Sequence, residues 1–264
     1  MTSPTEAVLT DLAAEQAELD ALVTGLEPDE WLLATPAEGW SILDTIAHLA
    51  FFDERVTLAA RDTDQFRAHL GELLADYDGY MQRGIEQGRS LGSGETLQWW
   101  RSERADALAA LAALPQGVRL PWYGPDMSVA SAATARLMET WAHGQDIWDG
   151  LGREREPTER LRHIALLGQK AFANSFIAHG MDVPDETVRV QLVSPTGEHW
   201  VFGPADTPHV VHGLATDFCL LTTQRRHRAD LGLVATPGLA DEWLDVAQAF
   251  AGPPGSKRSP AVDL

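Results

Sequence analysis

The chain is short of cysteine, of basic residues and of long apolar runs. Its one cysteine, Cys219, excludes an internal disulfide framework and a multi-cysteine zinc site. No stretch approaches the roughly 18 consecutive apolar residues that a membrane-spanning helix requires. The opening M-T-S-P-T-E-A has no basic region followed by an apolar stretch, so no signal peptide and a cytoplasmic location are expected. Lys and Arg number 20 against 39 Asp and Glu, a formal charge of -19. Such a surface repels a phosphate backbone. The only concentrated basic run, R-R-H-R at 225–228, is too short for a nucleic-acid groove. Neither a nucleic acid nor a membrane is expected as a partner.

With 264 residues, 44% of them hydrophobic, there is enough chain for one large domain or two ordinary ones. The first 180 residues read mostly as helix. One helix starts near Thr5 and stops before L-E-P-D-E-W. A second opens at Ser41, a good cap with Asp44 where a capping box needs a carboxylate. Apolar residues surround most of its circumference, which marks a buried helix. Further helical patterns cover about 63–88, 95–113, 128–148 and 157–178, with a Pro-, Gly- and aromatic-rich loop around Pro121–Pro125. After G-M-D-V-P-D the pattern changes. T-V-R-V-Q-L-V alternates as a strand, S-P-T-G turns the chain and E-H-W-V-F forms a second strand. V-V-H-G-L-A-T-D-F-C-L-L reads as helical or compact, and a last helix lies near 238–250. The expected architecture is mainly α: a helical bundle over 1–181, a small α+β domain over 182–252, and a frayed tail over 253–264.

Within the helical part, three ligand-type residues stand out. His48 lies on the second helix, and about ninety residues later Glu139 and His143 are spaced to share one helix face. Two imidazoles and a carboxylate suit a divalent metal and can leave a position open. Each residue also has a plainer reading. His48 could be a core histidine satisfied by one hydrogen bond, with Asp44 or a backbone carbonyl as partner. Glu139 and His143 share a stripe with Arg136 and Asp146, opposite Leu137, Trp141 and Trp148, and that stripe could be the solvated side of an amphipathic helix. Spacing does not choose between these. Cys219, in D-F-C-L-L, reads as a buried packing residue, and Trp141 and Trp148 as core.

The motifs W-S-I-L-D-T-I-A-H-L-A and M-E-T-W-A-H-G-Q-D-I resemble the metal-binding domain of mycothiol-dependent maleylpyruvate isomerases, within the DinB/YfiT-like helical superfamily. The resemblance covers about residues 10–180 and suits an uncharacterised actinobacterial branch. It implies a DinB-like four-helix bundle with His48, Glu139 and His143 as ligands of zinc, or of nickel or iron, and mycothiol as thiol cosubstrate. The second domain is similar to the isomerases' sterol-carrier-like α+β unit. There a basic residue is held to take the diacid substrate, and Arg225 matches it best, although Thr223 and Gln224 replace the usual approach to that arginine.

The resemblance therefore implies a transferase or isomerase that directs a metal-activated thiol at a small electrophile, with the protein a monomer or homodimer. Arg225 and Asp146 are the expected catalytic residues, Asp146 either steadying a ligand or acting as a base. Trp122, Tyr123 and Arg226 are the expected contacts to the thiol. A non-catalytic metal- or apolar-ligand-binding protein and a metal-dependent hydrolase are the alternatives.

Overall fold

The computed structural model describes residues 3–115, 117–255 and 257–261. The chain forms two compact units, Met1–Arg155 and Glu156–Leu264.

The first unit is a helical bundle of α1 (Pro4–Thr24), α2 (Ile42–Arg61), α3 (Thr63–Ala75), α4 (Tyr77–Leu91), α5 (Ser93–Ala112) and α6 (Val129–Gly150). Long helices α1, α2, α5 and α6 form its four-helix centre, with α2 packed on α5 and α6, and α1 on α5 and α6. Local signals set the helix starts. Ser3 and Ser41 each accept a bond from the third backbone N–H of their helix, and Glu6 and Asp44 return the bond to the cap residue. The helical pattern over 63–88 is broken in two, because the Asp76 side chain caps a new helix at Gly79 N. The core joins Leu19 and Val23 of α1 to Ile42, Ile46 and Leu49 of α2, Trp100 of α5 and Ile147 of α6. Helix α4 lies unusually close to α2, since a Cβ at Gly88 would stand 2.4 Å from the Ala47 Cβ. The expected loop around Pro121–Pro125 is the tip of a short antiparallel hairpin, β1 (Arg119–Leu120) with β2 (Met127–Ser128).

Asp20 locks α1 to α5. Its carboxylate accepts from Arg101 Nε at 2.9 Å and from Arg104, and the Arg101 bond leads the effects that hold its pKa down at about 2. The folded pKa lies below the unfolded 3.8, so this stability is present above the unfolded value and is lost as pH falls through the folded one. The side chain is only 14% exposed, so solvent screens it little. Asp20→Asn is expected to cost about 2 kcal/mol near neutral pH. In paired urea titrations the gap between wild type and variant should close as pH falls toward about 2.

The second unit holds α7 (Leu161–Lys170), α8 (Phe172–Ala178), β3 (Arg189–Val193), β4 (His199–Phe202), β5 (Val210–Leu214), α9 (Ala215–Thr222), β6 (Val234–Ala235) and α10 (Leu239–Val246). Its four-stranded sheet has the order β4-β3-β5-β6. Strand β3 pairs antiparallel with β4 and parallel with β5, and β6 closes the edge antiparallel to β5. Buried Val190, Leu192 and Trp200 from the sheet and Phe172, Phe218 and Trp243 from the helices form its core.

Two placements differ from the sequence expectation. V-V-H-G-L is strand β5 rather than helix, because it fills the slot between β3 and β6 with Val211 buried. Helices α7 and α8, placed with the bundle in the sequence reading, pack instead on α9, β4 and α10. In the described part of 253–264, Gly255 N donates to Gln224 Oε1 at 3.2 Å and Ala261 N to the Asp230 carboxylate at 3.0 Å. Among the described residues no helix is long and apolar enough to cross a membrane.

Candidate metal centre

Helices α2 and α6 are buried on nearly every side. Helix α2 encloses Asp44, Thr45, His48, Asp53 and Arg55 along with its apolar residues, and α6 encloses Arg136, Thr140, His143, Gln145 and Asp146. The polar stripe of α6 is therefore not a solvated face. Helices α1 and α2 both pack on α6, and the stripe turns inward. It brings Glu139 and His143 to His48, with one ligand atom of each lying within 4.8 Å of the others. The His48 and His143 ring centres are 4.6 Å apart. His143 Nε2 lies 3.3 Å from a Glu139 carboxylate oxygen, close to the roughly 3.4 Å that separates two ligands of a tetrahedral ion bound at about 2.1 Å.

The charges suit a cation. Burial pushes the Glu139 pKa up, but the hydrogen bond with His143 and the charges of His143, Arg136 and His48 outweigh it and hold the group at about 2. Glu139 is thus an anionic donor through the physiological range. On the far side of the His143 ring, Nδ1 lies 3.4 Å from Asp146, which is 1% exposed. Carboxylates thus face both ring nitrogens of His143, Glu139 at Nε2 and Asp146 at Nδ1; with a metal at the common point the proton would stay on Nδ1 beside Asp146 and leave Nε2 to bind. Asp146 is thus buried against His143 and does not face solvent. Asp146→Asn is expected to weaken divalent-metal affinity roughly 10- to 100-fold with little change in fold, as losses behind a ligating histidine do, and zinc titration against a chromophoric chelator measures it. Asp44 does not serve His48 in this way. Its two oxygens are taken by Ser41 and by Arg89, at 2.8–3.0 Å.

Aromatic rings wall the cluster. Phe52 lies 4.7 Å from the His48 ring. Trp40 stacks on His143 at 5.7 Å and 18°, and meets His48 at 4.9 Å. The sequence reading gives Trp40 no role. It sits in a loop, where no periodicity operates, and is delivered by a tight return: Thr35 N donates to Trp40 O, and Ala34 bridges to Ser41. Tyr123 is one ring further out, 5.7 Å from Phe52, with its hydroxyl 3.0 Å from that of Tyr80. Burial and that bond push its pKa up, so it stays a neutral phenol. Trp122 stacks on Phe66 at 5.7 Å. Both hairpin-tip aromatics are half-buried.

Arg225 and Arg226 lie in the second unit, just after α9, where Gln224 turns the chain with φ of 59°. Arg225 Nη1 donates to Thr223 O at 2.7 Å, and Arg226 Nη1 to Arg225 O at 2.8 Å. Arg226 lines a cavity of about 480 Å³ with Arg228, Lys257, Arg258 and the apolar Leu221 and Leu244, a cationic pocket in an acidic protein. Cys219 is fully buried, and burial pushes its thiol pKa up. It is a packing residue, as its sequence setting implies.

The DinB-like helical bundle and its candidate metal-binding triad of two histidines and a glutamate are consistent with a metal-dependent superfamily of isomerases and transferases. Residues 12–148 match the family model described as the mycothiol maleylpyruvate isomerase N-terminal domain, and the chain belongs to that family. Uncharacterized proteins from two strains of Mycobacterium tuberculosis are each 43% identical over 250 residues, covering 95% of this chain and 97% of theirs. The crystal structure of the mycothiol-dependent maleylpyruvate isomerase shares the fold with a TM-score of 0.57 at 17% identity, covering 89% of this chain and 94% of that one. A histidine-to-alanine mutant of that enzyme gives 0.58 at 16% identity, with the same coverage.

Proposed function

We propose that the protein is a divalent-metal-dependent enzyme that activates a low-molecular-weight thiol, mycothiol, for transfer to a small electrophile or for isomerisation of one. The observation that carries this reading is the convergence of His48, Glu139 and His143 on one point. A zinc-like ion bound there would lower the pKa of a thiol and so supply a nucleophile at neutral pH. His48 and His143 would hold it through neutral imidazole nitrogens and Glu139 through a carboxylate oxygen.

The chain's own residues do the rest. Asp146 steadies the His143 ring. Trp40 and Phe52 keep water from two sides of the imidazoles and present flat apolar faces to an incoming ligand. Trp122 and Tyr123, on the hairpin tip, form the rim that the thiol passes. Arg225 and Arg226 take carboxylates of the thiol or the electrophile, a role for which a guanidinium fork is suited. Cys219 is buried with a raised pKa, so the reacting sulfur must come from outside the chain. The location that fits such a thiol-dependent enzyme is the cytoplasm.

The test uses cobalt(II)-loaded protein titrated with mycothiol. A sulfur-to-cobalt charge-transfer band that saturates at one thiol per chain, and is missing in His48→Ala, is the expected result. Cobalt bound with no new band at saturating mycothiol would overturn the thiol reading and leave bound water as the nucleophile.

A further inference from the structure

Behind the three ligands lies a buried ion pair that the proposed chemistry does not use. Asp53, on α2 a little over one turn past His48, is 0% exposed, and Arg136, on α6 one turn before Glu139, is 2% exposed. Arg136 Nε donates to Asp53 Oδ1 at 2.9 Å, and Trp100 Nε1 of α5 donates to Asp53 Oδ2 at 3.2 Å. Arg136 Nη2 reaches the Leu49 carbonyl at 3.4 Å, in the helical turn that carries His48. One guanidinium thus touches the backbone beside the α2 ligand while its own backbone lies one turn from the first α6 ligand.

Stability alone does not explain such a pair. Stripping water from two charges costs much of what their attraction returns, and buried pairs of this kind are often replaceable by apolar residues without loss. Burial indeed pushes the Asp53 carboxyl up, against the pull of Arg136 and Trp100. What directional N–H···O bonds add is register. Apolar side chains let two helices slide and rotate over small distances, whereas a guanidinium fork held between a carboxylate and a carbonyl does not. Register matters here because the triad is split. His48 comes from one helix and Glu139 with His143 from the other, so a slip between α2 and α6 moves one ligand away from the remaining two.

We propose that Asp53 and Arg136, held by Trp100, are positioning residues for the metal centre: they fix the register of α2 against α6 and thereby set metal affinity rather than fold stability. The inference rests on reading the triad as a metal site. The pair is neutral as a whole, so replacing both members leaves the net charge unchanged; the Arg136 cation acts on Glu139, and its loss would by itself favour a bound cation, so a weaker affinity reports geometry.

The test compares zinc dissociation constants, measured by chelator competition, with urea unfolding of the metal-free full chain, for wild type, D53N/R136M and Trp100→Phe. In the double variant the asparagine amide keeps an acceptor for the Trp100 indole, and the methionine side chain fills the space of the arginine stem. D53N/R136M is expected to unfold near the wild-type midpoint yet bind zinc at least about tenfold more weakly, in the range seen when groups supporting a metal ligand are lost. Trp100→Phe removes a single donor to Asp53 and should weaken zinc binding by a smaller factor. It remains informative if the double variant does not fold. Zinc bound equally tightly by wild type and by whichever variants fold would overturn this inference alone. A wild-type protein that binds no zinc would overturn the site reading itself, and this inference with it.

Discussion

His48→Ala should leave the protein folded and remove its tight divalent-metal binding. The substitution takes away the candidate ligand on α2, leaving Glu139 and His143, one turn apart on α6. Losing a direct ligand should cost more than losing a group behind one, so a fall in affinity of at least about 100-fold is expected. Linkage makes the effect visible without an activity assay. Metal at about 100 times its dissociation constant stabilises a folded protein by about 2.7 kcal/mol. Wild type should show that gain in urea unfolding, and His48→Ala should show almost none at the same metal concentration. Metal-free samples of the two proteins should unfold at similar midpoints, because His48 lies between rings, Trp40 and Phe52, that partly close the gap. Undiminished metal content in the variant would remove His48 from the site.

Arg155→Ala should have the largest effect on stability. The guanidinium donates to the buried carboxylate of Glu15 and to Glu18 on α1, and its Nη1 donates to Trp141 O of α6 at 2.9 Å. It therefore pins together two helices of the bundle centre. Truncation removes a charge-assisted contact of the fully buried Glu15, and breaking one side of a buried pair costs about 3–5 kcal/mol. Glu15→Gln, which removes the charge and keeps the shape, should cost distinctly less, because Arg155 keeps Glu18 and the Trp141 carbonyl as acceptors. Urea unfolding of the metal-free chain measures both. A loss under about 1 kcal/mol for Arg155→Ala would show that Glu15 finds another partner or water.

Local chemistry made much of the bundle readable in advance. Ser41 with Asp44 announces the start of α2, and the near-continuous apolar surface of Ile42–Ala59 announces its burial. The candidate ligand positions are legible as residue types at a helical spacing. Their orientation is not, because a polar stripe has the same period whether it meets water or the neighbouring helix. Packing of α1 and α2 on α6 settles it, and that is tertiary information. Trp40 was invisible for a different reason: a loop residue has no period, and only the Thr35–Trp40 return shows which rings it meets. In the second unit, V-V-H-G-L is too short an apolar run to separate strand from helix until β3 and β6 are seen on either side of it. Helices α7 and α8 follow the bundle in sequence, yet their apolar faces are completed by β4, α9 and α10.

Helices α2 and α6 are expected to hold one metal ion between them. Anomalous diffraction from crystals of the zinc-loaded protein, recorded on both sides of the zinc edge, tests it most directly. The expected result is a single strong peak within about 2.0–2.2 Å of one nitrogen from His48, one from His143 and a carboxylate oxygen of Glu139. A peak elsewhere in the molecule, or none at this point in crystals grown with excess zinc, would contradict it.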